Sequence, residues 1–160
     1  VLGHVADVPG WLREINRVLK PGGMVAIFAE SALGSQAVIR NYLARRGVNA
    51  DPHARFHVSL FSKEKILALF NEAGIKIERS YGIAVAAFFL YPESYAPALR
   101  NRAEFPILRF ITSIGFFIKS ALEPISGALV ELYVLIEMLT IGKWVRAQGY
   151  IFLGRKRPLV

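Results

Sequence analysis

The chain has 160 residues, 54% of them apolar, and carries a formal net charge of +8 with no cysteine. That apolar fraction excludes a disordered chain and suits one domain with its own core, while the missing thiols exclude disulfides and thiolate metal sites. The cations are scattered apart from Arg155-Lys156-Arg157, a cluster that reads as a solvated chain end, so no nucleic-acid partner is expected.

Leu2 to Asp7 reads as a loop. Apolar side chains at Trp11, Leu12, Ile15, Val18 and Leu19 then recur at the spacing of one helix face, with Arg13, Glu14, Asn16 and Arg17 off it. Lys20 stands where a cation suits the negative end of a helix dipole, Pro21 cannot continue the hydrogen-bond ladder, and Gly22-Gly23 can reverse the chain. Met24 to Ala29 is an unbroken apolar run of strand length, the pattern of a parallel strand covered by helices on both faces. Glu30 emerges at its carboxyl end.

Leu33, Ala37, Val38, Tyr42 and Leu43 predict a helix over Leu33 to Arg46 that stops at Gly47. Asn49, Asp51 and Pro52 make residues 48–56 a loop. Ser62 is a predicted N-cap for a helix over 63–73, with Ile66, Leu67, Leu69, Phe70 and Ala73 inward and Gly74 as the stop. Lys76 to Tyr81 alternates as a strand with one covered side does.

Residues from Gly82 to Val145 are rich in Phe, Ile and Leu, and Pro106 and Pro124 each open a helix, the second running to Gly142. On that second helix Glu123, Glu131 and Glu137 fall on one side, and Ile125, Leu129, Leu132, Tyr133, Ile136 and Leu139 occupy a broad remainder. The longest uncharged run, Ser80 to Pro92, is shorter than the roughly 20 residues of a membrane-spanning helix. Gly149 to Pro158 reads as a last strand with a basic end.

Two patches carry a family resemblance. The first is His4, Val5 and Asp7, an amphipathic helix, then Arg17, Leu19, Lys20, Pro21, Gly22 and Gly23 before a strand; the second is His57, Phe61 and Ser62, a helix to Ala73-Gly74, then the strand from Ile75. In this order they resemble the carboxyl-terminal half of class I S-adenosylmethionine-dependent methyltransferases, small-molecule type. The resemblance implies an α/β fold: a Rossmann-like methyltransferase sheet with an antiparallel last strand, plus a helical insertion before that strand. It divides the chain into core residues 1–82, a hydrophobic insertion 83–147 serving as lid or membrane-surface element, and a last strand with basic tail, 148–160. Because the chain opens at a valine and contains no Gly-x-Gly donor loop, it is expected to be an amino-terminally truncated piece, inactive by itself.

The resemblance further implies S-adenosylmethionine as cofactor and a small, apolar or lipid-like acceptor, in a cytoplasmic protein that can lie peripherally on a membrane. Ligands of such folds gather outside the carboxyl ends of the strands. His4 is the candidate catalytic residue; Leu2, Gly3, His4 and Val5 are candidates for donor contact; Glu30, Tyr42, Phe56, His57 and Phe61 are candidates for lining the acceptor. Many relatives carry a glutamate just before the histidine, and Gly3 in its place removes a carboxylate there. No metal site is expected, and His53, beside Pro52, is taken as exposed. The alternative is a non-catalytic module that binds a membrane surface or a partner through the Gly82 to Val145 helices.

Overall fold

The first helix begins where a side chain can cap it. Asp7 accepts a hydrogen bond from the Gly10 amide at 2.9 Å, and α1 runs over Val8–Val18, three residues earlier than the apolar stripe alone suggests. The structure is a computed structural model that describes residues 2–31, 37–50, 56–83, 85–145 and 147–158. After α1 come β1 (Met24–Glu30), α2 (Ala37–Arg45), α3 (Lys63–Glu72), β2 (Ile75–Ile83), α4 (Ala87–Leu90), α5 (Pro92–Leu99), α6 (Pro106–Ala121), α7 (Ile125–Leu139) and β3 (Gly149–Lys156). The predicted stops hold: Gly22, Gly47 and Gly74 have φ of 72°, 74° and 77°, the left-handed region where a side chain is strained. Ser62 Oγ accepts from the Lys65 amide at 3.2 Å and starts α3 as expected. Leu33 and residues 51–55, His53 among them, lie outside the described residues.

The three strands form one sheet in the order β1-β3-β2, with β3 antiparallel to both neighbours. An antiparallel last strand beside the Ile75 strand was expected. The pairing of β1 was not: its described neighbour is antiparallel, and its burial alternates instead of being continuous. Ile27 and Ala29 are buried while Met24 is 57% exposed. The reason is that α1 and α3 cover one face, where Ile27 and Ala29 stand opposite Phe152 and Tyr150 across the ladder. That face, with Leu2, Val8, Leu12, Ile66, Phe70 and Ile75, is the main core. Val18, expected on the buried stripe, is exposed.

A second core joins Leu43 of α2, Val48 and Ala50 of the following loop, and Tyr95, Leu99 and Phe105 of the later segment. The loop predicted over 48–56 is therefore anchored at its start by two buried side chains. Two short helices, α4 and α5, were missed by the sequence reading. The first has four residues, and the second begins at a proline and contains another, Pro97.

The basic end of the chain is not a solvated tip. Lys156 Nζ donates to the carbonyls of Asn16 and Leu19 at 2.7 and 2.9 Å, taking at the end of α1 the role that the sequence assigns to Lys20, which is exposed. Arg155 bridges Glu78 and the Gly22 carbonyl, both at 2.8 Å, and Arg157 Nη2 donates to Asn71 Oδ1. The cluster ties the loop before β1 and the end of α3 to the last strand. Replacing Lys156 by Met keeps the stem and removes the charged donors, and should lower stability by about 1–3 kcal/mol in urea unfolding. The same change at Lys20 should stay within about 0.5 kcal/mol.

Candidate functional site

Leu2 is fully buried in the main core, and it anchors a 3-10 turn, Leu2–His4, against the carboxyl end of β1. The next polar groups are then fixed by a zipper to a distant loop. The Gly3 carbonyl accepts from the amides of Val58 and Ser59 at 2.8 and 3.1 Å, and Ser59 Oγ donates to the Val5 carbonyl at 2.6 Å. His4 Nδ1 lies 2.9 Å from the Phe56 carbonyl. A carbonyl can only accept, so Nδ1 carries the proton and the lone pair of the neutral ring is on Nε2.

That lone pair faces a carboxylate. His4 Nε2 is 3.8 Å from Glu30 Oε1, and the His4 and His57 ring centroids are 5.0 Å apart. The other Glu30 oxygen, Oε2, accepts from the Gly3 amide at 3.0 Å. A Cβ at Gly3 would stand 2.8 Å from that oxygen, so the space beside the Gly3 backbone is occupied by the Glu30 carboxylate. Position 3 itself carries no carboxylate, as its glycine implies; the acid of this corner comes from the end of β1. Burial works to raise the pKa of Glu30, and the groups around its carboxylate, the Gly3 and Glu30 amides among them, outweigh it and hold the group below its ordinary value.

A lone pair and a carboxylate at this spacing call for a positive or proton-bearing group between them. One nitrogen from each of His4 and His57 and one oxygen of Glu30 all lie within 4.8 Å of one another. This is the donor set of a divalent transition ion, but a four-coordinate ion with bonds of about 2 Å holds its ligands roughly 3.3 Å apart. Ion binding would require the three side chains to close in. As it stands the corner suits an N–H, O–H or onium group without rearrangement.

The other predicted residues divide. His57 joins His4 and Glu30, while the side chains of its neighbours Phe56 and Val58 are 50% and 63% exposed. Phe61 is partly buried against the main core. Tyr42 stands edge-on to Phe105 of the second core at 6.0 Å, with the Arg46 guanidinium 5.2 Å from its ring centroid. Of the four donor-contact candidates, Leu2 is buried, and both backbone groups of Gly3 are used within the chain. Both backbone groups of Val5 are used as well and its side chain packs against the main core, which leaves the His4 ring to meet a ligand. Ser59, which closes the zipper, was missed; its partner is 54 residues away, beyond any local pattern.

The sign of the Glu30 effect sets a pH dependence. With its folded pKa below the ordinary 4.5, the unfolded chain binds the extra proton, so the stability it contributes is complete above that value and is lost as pH falls through the folded pKa. Thermal unfolding between about pH 5 and pH 3 should therefore show a shallower loss of stability in Glu30→Gln than in the unchanged protein.

No family model matches the chain, and no curated protein matches it. Solved structures do. A provisionally assigned sarcosine dimethylglycine methyltransferase from Galdieria sulphuraria is similar at a TM-score of 0.43 and 19% identity, over 98% of this chain and 50% of that one. Phosphoethanolamine N-methyltransferase 2 of Haemonchus contortus, in complex with S-adenosyl-L-methionine, is similar at a TM-score of 0.40 and 13% identity, over 99% of this chain and 32% of that one. The same enzyme with phosphomonomethylethanolamine and S-adenosylhomocysteine gives 0.37 and 14%, again over 99% and 32%. The chain thus spans half the length of the first structure and about a third of the other two.

Proposed function

We propose that this chain supplies the acceptor side of an S-adenosylmethionine-dependent methyltransferase acting on a small, apolar or lipid-like molecule that presents an N–H or O–H group. The observation that carries the reading is the meeting of His4, Glu30 and His57 at the carboxyl end of β1. In an open α/β sheet that is where ligands bind. The strand order, with an antiparallel last strand between two others, and the two motif patches in sequence support it.

S-adenosylmethionine, when bound, supplies an electrophilic methyl group on a sulfonium. The residues of this chain act on the other reactant. Nε2 of His4, held as the acceptor by the Phe56 carbonyl, takes the proton that the nucleophilic nitrogen or oxygen loses as its bond to the methyl carbon forms. The Glu30 carboxylate at 3.8 Å stabilises the resulting imidazolium and itself accepts a hydrogen bond from the Gly3 amide. Phe56 and Val58, exposed on either side of His57 in the chain, offer apolar surface for the acceptor. The nucleoside end of the donor has no Gly-x-Gly loop in these 160 residues, so on this reading other residues of the working protein hold it.

Calorimetric titration of S-adenosylmethionine into the longest natural polypeptide containing this sequence tests the reading. Binding is expected, with His4→Ala leaving donor affinity within a few-fold and lowering kcat by about 10²–10⁴. A folded polypeptide that takes up no donor would end the proposal.

A further inference from the structure

Helices α6 and α7 are turned inside out. Among their described residues the only buried side chain of α6 is Thr112 and the only one of α7 is Glu137, both polar. Thr112 returns its hydroxyl to the Leu108 carbonyl at 2.8 Å. Glu137 accepts from the amides of Val85 and Ala86 at 2.7 and 3.1 Å, and so pins α7 to the end of β2. Lys119 is drawn inward as well, donating to Glu93 at 2.6 Å and to the Leu90 carbonyl at 3.2 Å. Polar groups, together with Leu108 packed against the second core, hold the pair to the body, and most of its other large apolar side chains are exposed. The glutamates that the sequence reading placed on one side of the second helix therefore do not mark a single solvent face: Glu137 points inward, while Glu123 and Glu131 are exposed.

The outward surface is large. Ile107, Phe110, Phe117, Ile125, Leu129 and Leu132 are each between 53% and 72% exposed, and most large apolar side chains left exposed in the described residues fall between Ile107 and Val145. Soluble proteins rarely expose more than a few hundred Å² of contiguous apolar surface. Cations flank the pair: Arg109 is exposed on the first turn of α6, and Lys143 is exposed after α7 beside Trp144, which is 87% exposed. Arg100 lines a groove between α5 and α6 whose other walls are Ala96, Pro97, Ser113 and Phe116, one cation against mostly apolar surface.

We infer that the α6–α7 pair docks this protein on the surface of an anionic phospholipid bilayer, with its apolar side chains among the upper acyl chains and the flanking Arg and Lys at the headgroups. This does not rest on the methyl-transfer reading. Charge favours this occupant: the net charge of +8 repels a second copy and attracts anionic headgroups, and on the surface itself Arg109 and Lys143 stand against the exposed Glu123 and Glu131. Length selects the mode. Among the described residues no helix is long and apolar enough to cross a membrane, and the 16 residues of α6 reach about 24 Å against a hydrocarbon core of about 30 Å, so the pair lies in one leaflet. An exposed Trp beside a Lys suits the headgroup level.

Flotation of the 160-residue chain with vesicles of phosphatidylcholine, and of phosphatidylcholine containing about 30% phosphatidylserine, tests this. The chain is expected to float with the anionic vesicles and at least about tenfold less with the neutral ones. Phe117→Asp and Leu129→Asp, at exposed positions, should each reduce binding by about tenfold or more with unchanged far-UV circular dichroism. Val38→Asp, on the exposed side of α2, should leave binding unchanged. Absence of flotation overturns the inference, as does equal flotation with both vesicle types or binding indifferent to the α6 and α7 changes. Self-association abolished by those changes, without vesicle binding, assigns the surface to a second copy and overturns it too.

Discussion

β1 and β2 do not pair with each other; what holds them in one sheet passes through β3. The strand made last in the sequence is therefore the one on which the fold depends, and it contributes more than its ladder. Phe152 and Tyr150 supply the centre of the main core, and Gly154 lies so close to Ile75 that a Cβ would stand 2.7 Å from its methyl group. Arg155, Lys156 and Arg157 then reach outward from the strand end to the loop before β1, the last turn of α1 and the end of α3. A cluster that looks like a basic tail in the sequence is the clamp that closes the molecule around its sheet.

The same logic of distant partners builds the site. His4, Glu30 and His57 are brought together because Leu2 is buried under the end of β1 and because the Gly3 and Val5 carbonyls are tied to residues 58 and 59. The consequence is electrostatic. One backbone carbonyl sets the tautomer of His4, one backbone amide donates to the Glu30 carboxylate, and the two side chains present acceptor capacity toward a common point. Gly3 contributes through what it lacks, since the volume of a side chain there is taken by the Glu30 carboxylate.

The helices after β2 follow a different solvent rule from the rest of the molecule. Around the sheet, apolar side chains are inside and charges outside; on α6 and α7, Thr112 and Glu137 are inside and Phe, Ile and Leu outside. Glu137 is buried at no evident electrostatic loss because two backbone amides satisfy its carboxylate. A protein that uses polar contacts to hold helices whose apolar faces are presented outward has divided its surface between two environments.

Much of the local structure was legible in the sequence, for physical reasons that act within a few residues. Ser62 caps α3, Gly47 and Gly74 end α2 and α3, and the period of apolar residues marks α1, α3 and β2. The order of the two motif patches put His4 and Glu30 at strand ends, but not Tyr42 or Phe61, which pack against the second and the main core. Only the tertiary structure decided which cation caps α1, which acid stands beside His4, and which way α7 faces. These are contacts across 140, 27 and 52 residues, and each is settled by a competition between partners that local spacing does not rank. The sequence by itself determined the main helix stops and the positions of the strands, because turns and periodicity are short-range. The tertiary structure decided what each charged group is for, because a charge acts on whatever the fold brings near it.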